Sequence, residues 1–261
     1  MYYPAIMRTT TMDPLAEKYY HISPYAWCGN NPVRFIDPDG RWITIYEGML
    51  TYRYDNGQLY YENWTTNKDG NRILQLNKYT PNQGSFLEGV LNALNTISSS
   101  GDAGKELINF FANDLNMAEI HSTKGENSIN MDMKSGNPIY LNENLVGSKN
   151  IPTTSGLQNS DFWTDVSHEL GHRQDFIQNP NKASADWMML PNGNVIKNTE
   201  KTATHIENMI RLDASLPLRT HYATETRSYG FSNVVVPYAP TKIIDLINGK
   251  YVNKFNGHVY R

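Results

Sequence analysis

Cysteine is almost missing from this chain: its 261 residues include one, Cys28. That excludes an internal disulfide framework and any structural zinc site built on several thiolates. Long apolar runs are missing too. No stretch approaches the roughly 20 residues that span a bilayer, so membrane insertion is not expected. Met1 to Met12 lacks a basic start followed by an apolar block, so it does not read as a signal peptide. Nor is there a surplus of one charge: 23 Lys and Arg stand against 26 Asp and Glu, a net charge of −3. Nucleic acid and anionic membranes are therefore not the expected partners. The chain is long enough to bury a substantial core, as one large domain or two small ones.

The chemistry is concentrated in His168-Glu169-Leu170-Gly171-His172. Residues four apart on a helix lie one above the other, so both imidazoles can grip a single ion. Glu169 follows the first of them and can reach a water activated by that ion without ligating it. With seven histidines in the chain, the spacing His-Glu-x-x-His is expected roughly 0.01 times by chance. Coincidence is a poor explanation. Phe162, Trp163, Val166, Leu170 and Phe176 supply an apolar stripe near helical spacing, which predicts a packed helix rather than a solvated one. The pattern reads as a zinc peptidase site.

Two imidazoles do not complete a catalytic zinc site, which normally has three protein ligands and an open position. Candidates lie in the helical segment Thr199 to Arg211. Glu200 and Glu207 are seven apart and share a face, so one can ligate while the other orients a histidine through its second ring nitrogen. His205 is a third option on a different face. Asp165 and Asp175 are weaker candidates for an orienting role. Arg219 and Tyr222 form an Arg-x-x-Tyr pair after this helix. A guanidinium or phenol there can stabilise an oxyanion, or Arg219 can pair with a carboxylate while Tyr222 packs. His221 and Tyr229 are held in reserve, and His21, His121 and His258 read as surface or packed histidines.

Elsewhere, Trp42–Tyr46 and Leu50–Tyr54 read as strands, and Asp55-Asn56-Gly57 as a turn into Leu59-Tyr60-Tyr61. Thr65 to Gln83 is polar and turn-rich. Helical periodicity runs from Phe86 to Asn116 with a break at Ser98–Gly101. Ala118–Ser122, Ser128–Met133 and Pro138–Leu141 are further strand candidates, and a sheet edge ahead of the site helix can bind a substrate backbone by strand addition. The first forty residues differ: rich in tyrosine, proline and turn dipeptides, they predict short extended pieces.

That first segment carries a resemblance. The run DPLAEKYYHISPYAWCGNNPVRFIDPDGR, residues 13–41, resembles the end of the core region of RHS/YD-repeat proteins. In that family a β-strand shell is followed, after a DPDG-like junction, by a variable C-terminal toxin. A second resemblance lies over residues 160–225. The HELGH segment, Glu200-x-x-Ala203, Glu207-Asn208-x-x-Arg211 and Leu216-Pro217-Leu218-Arg219-Thr220-His221-Tyr222 look like the NleD-like effector metallopeptidases, found as type III effectors and as toxin cassettes of RHS proteins. The resemblance implies an α+β, zincin-like fold with the site helix packed on a small β-sheet. It implies one zinc per chain held by His168, His172 and Glu200, with Glu207 the alternative. Glu169 becomes the general base, and Arg219 and Tyr222 match a pair that serves the oxyanion in clostridial neurotoxin peptidases. The domains expected are an RHS-core tail (1–41), a hairpin and linker region (42–85) and the metallopeptidase (86–261).

The function implied is hydrolysis of peptide bonds in a target-cell protein by a toxin delivered out of a producing bacterium, with a cognate immunity protein as a second partner. Two other readings stand beside it: an idle delivery or immunity-binding module with a vestigial site, and a zinc hydrolase of another amide or ester.

Overall fold

The computed structural model describes residues 2–3, 8–9, 43–68, 70, 72–112, 116–130, 137–230 and 232–261. Near the start, β1 (Tyr2–Tyr3) pairs with β2 (Arg8–Thr9); residues 10–42, which hold the whole RHS-like run, lie outside the described residues. A meander follows: β3 (Ile43–Glu47), β4 (Leu50–Asp55), β5 (Gln58–Thr66) and β6 (Arg72–Tyr79), antiparallel throughout. At the β4–β5 turn, Asn56 and Gly57 both have positive φ, 45° and 82°. Two residues in that region make the turn whose twist matches the flanking strands, which is why Asn-Gly is the residue pair there.

The helices α1 (Phe86–Ser99) and α2 (Asp102–Phe110) come next. Ser85 caps α1 by accepting from the Glu88 amide, and Glu88 reaches back to the Gly84 amide. The chain then returns to the sheet with β7 (Ala118–Thr123), β8 (Ser128–Ile129) and β9 (Ile139–Asn142). Strand β7 lies parallel to both β3 and β9, giving a mixed sheet of seven in the order β6-β5-β4-β3-β7-β9-β8. Alternate residues Ile43, Ile45, Tyr52, Tyr54, Ala118, Ile120, Ile139 and Leu141 turn inward and form one core with α1, α2 and the helix that carries the HELGH segment.

That helix, α3 (Phe162–Gln178), is reached through the hairpin β10 (Ile151–Thr153) and β11 (Gly156–Gln158). The short α4 (Pro180–Ser184), the hairpin β12 (Asp186–Met189) with β13 (Val195–Lys197), and α5 (Thr199–Asp213) follow. A ribbon of β14 (Thr224–Tyr229) with β15 (Ser232–Pro237) and a small sheet of β16 (Ile244–Ile247), β17 (Lys250–Asn253) and β18 (Val259–Tyr260) close the order. Leu218, Ile243, Ile244 and Tyr260 make a second, smaller core there, with Met209 and Leu212 of α5 against it.

Three expectations change. The segment Thr65–Gln83 contains β6, because Leu74 and Leu76 alternate with polar residues along the long partner β5. The sheet is large rather than small. The expected division at 85/86 falls inside one structure, since β3–β6 and β7–β9 share a sheet and a core. The α+β class stands, and among the described residues no helix is long and apolar enough to cross a membrane.

Candidate metal centre

Helix α3 runs through the middle of the protein, and every residue from Thr164 to His172 is buried. A buried stretch this polar needs partners on all sides. At its start Asp165 accepts from Ser148 N (2.8 Å), Ser148 Oγ (2.6 Å), Asn127 Nδ2 (3.0 Å) and the Ser160 hydroxyl. It therefore anchors the loops ahead of α3 and touches neither histidine. Asp175, at the other end, accepts from Asn179 Nδ2 and also lies away from the imidazoles.

Helix α5 packs on α3 at Gly171. A Cβ at that position would sit 3.1 Å from Ala203 Cα, so the two backbones meet where both residues are small. The close approach brings the polar face of α5 onto the imidazoles. Glu200 Oε2 lies 3.1 Å from His168 Nε2 and 3.1 Å from His172 Nε2. The opposite ring nitrogens are also engaged: His168 Nδ1 with Glu207 Oε2 at 3.0 Å, and His172 Nδ1 with Thr199 Oγ1 at 3.0 Å. Ligand atoms of His168, Glu169 and His172 lie within 4.8 Å of one another, all buried, and could hold a metal ion.

With each Nδ1–H donating to an oxygen, each Nε2 turns a lone pair toward the same carboxylate oxygen. Such an arrangement demands positive charge between the groups, from added protons or from a metal. Burial alone pushes His168 down, yet its bonds to Glu200 and Glu207 outweigh this and raise it to about 10. Burial pushes Glu200 up, but the two imidazoles hold it well below the usual carboxylate range. A zinc site answers the same demand. Ligand atoms about 2.0–2.1 Å from a tetrahedral zinc are about 3.3 Å from each other, close to the two 3.1 Å separations here. The donor set fits that ion.

No family model, curated protein or solved structure matches this chain. The reading of the site rests on its geometry.

Glu207 is occupied differently from Glu200. Its Oε1 accepts from Arg211 Nε at 2.6 Å, and its Oε2 from Arg219 Nη1 at 3.1 Å as well as from His168. Burial would raise its carboxyl, but Arg211 and Arg219 hold it far down. Both oxygens are spent. Arg219, expected at an oxyanion, also uses its Nη2 on the Tyr222 carbonyl (2.8 Å) and its Nε on the His221 carbonyl (3.3 Å). Asn208 holds its backbone, donating Nδ2 to the Arg219 carbonyl at 2.9 Å and accepting from Arg219 N at 2.6 Å. Tyr222 does reach the centre. Its ring stacks toward His168 with centroids 6.5 Å apart, and its phenol feels the charge of Glu200. Burial, then Glu200, pushes that phenol well above its ordinary value. Glu169 is raised by burial as well, with the two imidazoles pulling the other way.

His21 is outside the described residues, and the other histidines lie away from the centre. His205 turns away from the two imidazoles, its Nδ1 2.8 Å from Tyr260 Oη, with His258 beside both. His121 stacks on Tyr46 at 4.6 Å, and His221 Nδ1 meets its neighbour Thr220. Tyr229 is exposed in the β14–β15 ribbon. Thr199 was not singled out by the sequence, and Arg211 and Asn208 entered only as residues of the resemblance, with no role assigned. Arg211 lies four residues beyond Glu207, a helical ion-pair spacing that marks it in retrospect.

Proposed function

We propose that this chain is a zinc-dependent endopeptidase of zincin-like fold, acting as a bacterial toxin or effector on a protein of a target cell. The observation that carries the reading is the approach of two imidazole Nε2 atoms to one carboxylate oxygen at 3.1 Å, with the buried carboxylate of Glu169 beside them. His168, His172 and Glu200 are the residues that would hold one zinc. When bound, zinc supplies Lewis acidity, lowering a water's pKa to about 7 and polarising a carbonyl.

The chain's own residues divide the remaining work. Glu169 takes the proton of the attacking water on its carboxylate and returns it to the leaving amine nitrogen. Its burial favours that role, because a base with a raised pKa holds the proton long enough to deliver it. The Tyr222 hydroxyl donates to the oxyanion of the former carbonyl. Arg219 is better assigned as a positioning residue: it fixes Glu207, which orients His168, and it fixes the Tyr222 main chain. Thr199 performs the orienting task for His172.

The toxin assignment, the delivery out of a producing cell and a cognate immunity protein rest on the RHS-like and NleD-like resemblances. The test is to add zinc-loaded wild-type protein and Glu169→Gln to bacterial lysates and sequence the new protein N-termini. New termini with the wild type alone are expected. Their absence, or equal cleavage by Glu169→Gln, would overturn the proposal.

A further inference from the structure

A second cavity, of about 350 Å³, lies on the flank of α5 that faces away from Glu207. It is shared by the end of α3, by α4, by the first two turns of α5 and by the turn after β17. Its volume is at the lower end of small-molecule sites. Two cations face it, Lys182 from α4 and Lys201 from α5.

Lys201 is held in an uncommon way. Its ammonium lies 4.9 Å from the Trp187 ring centroid and 4.8 Å from that of Phe255, and it donates to Asn198 Oδ1 at 2.7 Å. Aromatic faces and an amide oxygen position a cation well, but they bring no negative charge. Among the described residues, no carboxylate comes within ion-pair distance of Lys201 or Lys182. The one acid in the lining, Asp175, sits at the α3 end and is hydrogen-bonded by Asn179. Two uncompensated cations therefore share a concave space that also carries the side-chain amides of Asn198, Asn253 and Asn256, with His205 and Thr202. Paired like charges in a half-enclosed cavity are costly, and an anion between them removes the cost. The wall is also preorganised. Phe255 lines the cavity and meets Trp187, just outside it, edge to face at 5.4 Å, so the two rings that flank the Lys201 ammonium brace each other.

We infer that this cavity binds a tetrahedral dianion of the phosphate class, as free phosphate or as a phosphomonoester, clamped between Lys182 and Lys201. The inference is independent of the metal centre, since none of the ligating or orienting residues lines the cavity.

Calorimetric titration of the full chain with inorganic phosphate tests it, at constant ionic strength in chloride, with O-phosphoserine as the second probe. One saturable site per chain is expected, at least tenfold weaker in Lys182→Met and in Lys201→Met. Lys182 is exposed, so its variant reads the site without disturbing the fold. Lys124→Met, facing a different surface hollow, should bind as the wild type does. Tighter binding of phosphate than of phosphoserine assigns the free ion, and the reverse order assigns an ester; either supports the site. No saturable binding overturns it. So does binding that survives in Lys182→Met but disappears in His172→Ala, because the anion would then be held at the metal centre.

Discussion

Replacing Glu200 and Glu207 separately by glutamine should split metal binding from stability. Glu207 is buried and receives Arg211 at 2.6 Å, Arg219 at 3.1 Å and His168 at 3.0 Å. Glutamine keeps the shape but removes the charge, and a guanidinium cannot shed its proton in compensation. Breaking a buried ion pair costs about 3–5 kcal/mol, so Glu207→Gln should lose about that much. Glu200 faces only imidazoles and a phenol. Because imidazoles can release a proton, Glu200→Gln should cost the metal-free protein about 1–2 kcal/mol. For zinc the order reverses. Losing an orienting partner weakens metal affinity about 10- to 100-fold, whereas losing a charged ligand should exceed that range. Urea unfolding of chelator-treated protein gives the stabilities, and competition with a chromophoric chelator gives the affinities. If Glu200→Gln proves the less stable variant while Glu207→Gln loses zinc more completely, the two assignments are wrong.

Other perturbations have equally definite outcomes. Tyr222→Phe should keep zinc affinity within a few-fold while lowering kcat about 100-fold, as expected for loss of one oxyanion donor; an unchanged kcat in a peptide-cleavage assay would remove Tyr222 from the mechanism. Gly171→Ala should push α3 from α5 by a few tenths of an ångström, since the new Cβ meets Ala203 Cα at 3.1 Å; the helix-propensity gain of about 1 kcal/mol offsets the strain. Zinc affinity should nonetheless fall about tenfold, and a raised affinity would contradict the close-approach argument. His205 is lowered to about 4 by burial and by His258, against an ordinary value near 6.5 in the unfolded chain. The unfolded chain therefore binds the proton first on acidification, so stability held above pH 6.5 is lost as the pH falls toward 4. Allowing for partial solvent contact, the loss is about 1–2 kcal/mol. Urea midpoints between pH 7 and pH 5 should fall less for His205→Gln than for the wild type.

Local order was far more legible in the sequence than long-range order. HELGH on an apolar stripe announced α3, and Asp55-Asn56-Gly57 announced a hairpin, because each rests on spacing or backbone freedom within a few residues. The break near Ser98–Gly101 separated α1 from α2 for the same reason. Strand β6 was hidden in a polar stretch whose order comes from pairing with β5. The parallel contacts of β7 with β3, 75 residues apart, and with β9, 19 apart, are encoded by no local pattern. At the centre, the residues alone marked Glu200 and Glu207 as one face, and only the resemblance put Glu200 ahead of Glu207 as ligand; what separates their surroundings was not legible. It depends on Arg219 arriving from beyond the helix and on Asn208 holding it there. Arg219 illustrates the point: its type suggested an oxyanion, while its neighbours spend all three nitrogens elsewhere.

The most direct measurement is zinc K-edge X-ray absorption on the reconstituted wild-type protein, with zinc counted per chain. One zinc, with two imidazoles and further oxygen ligands at about 2.0–2.2 Å in a four-coordinate shell, is the predicted result. No retained zinc after reconstitution, or a six-oxygen shell without imidazole scattering, would contradict the metal-centre account.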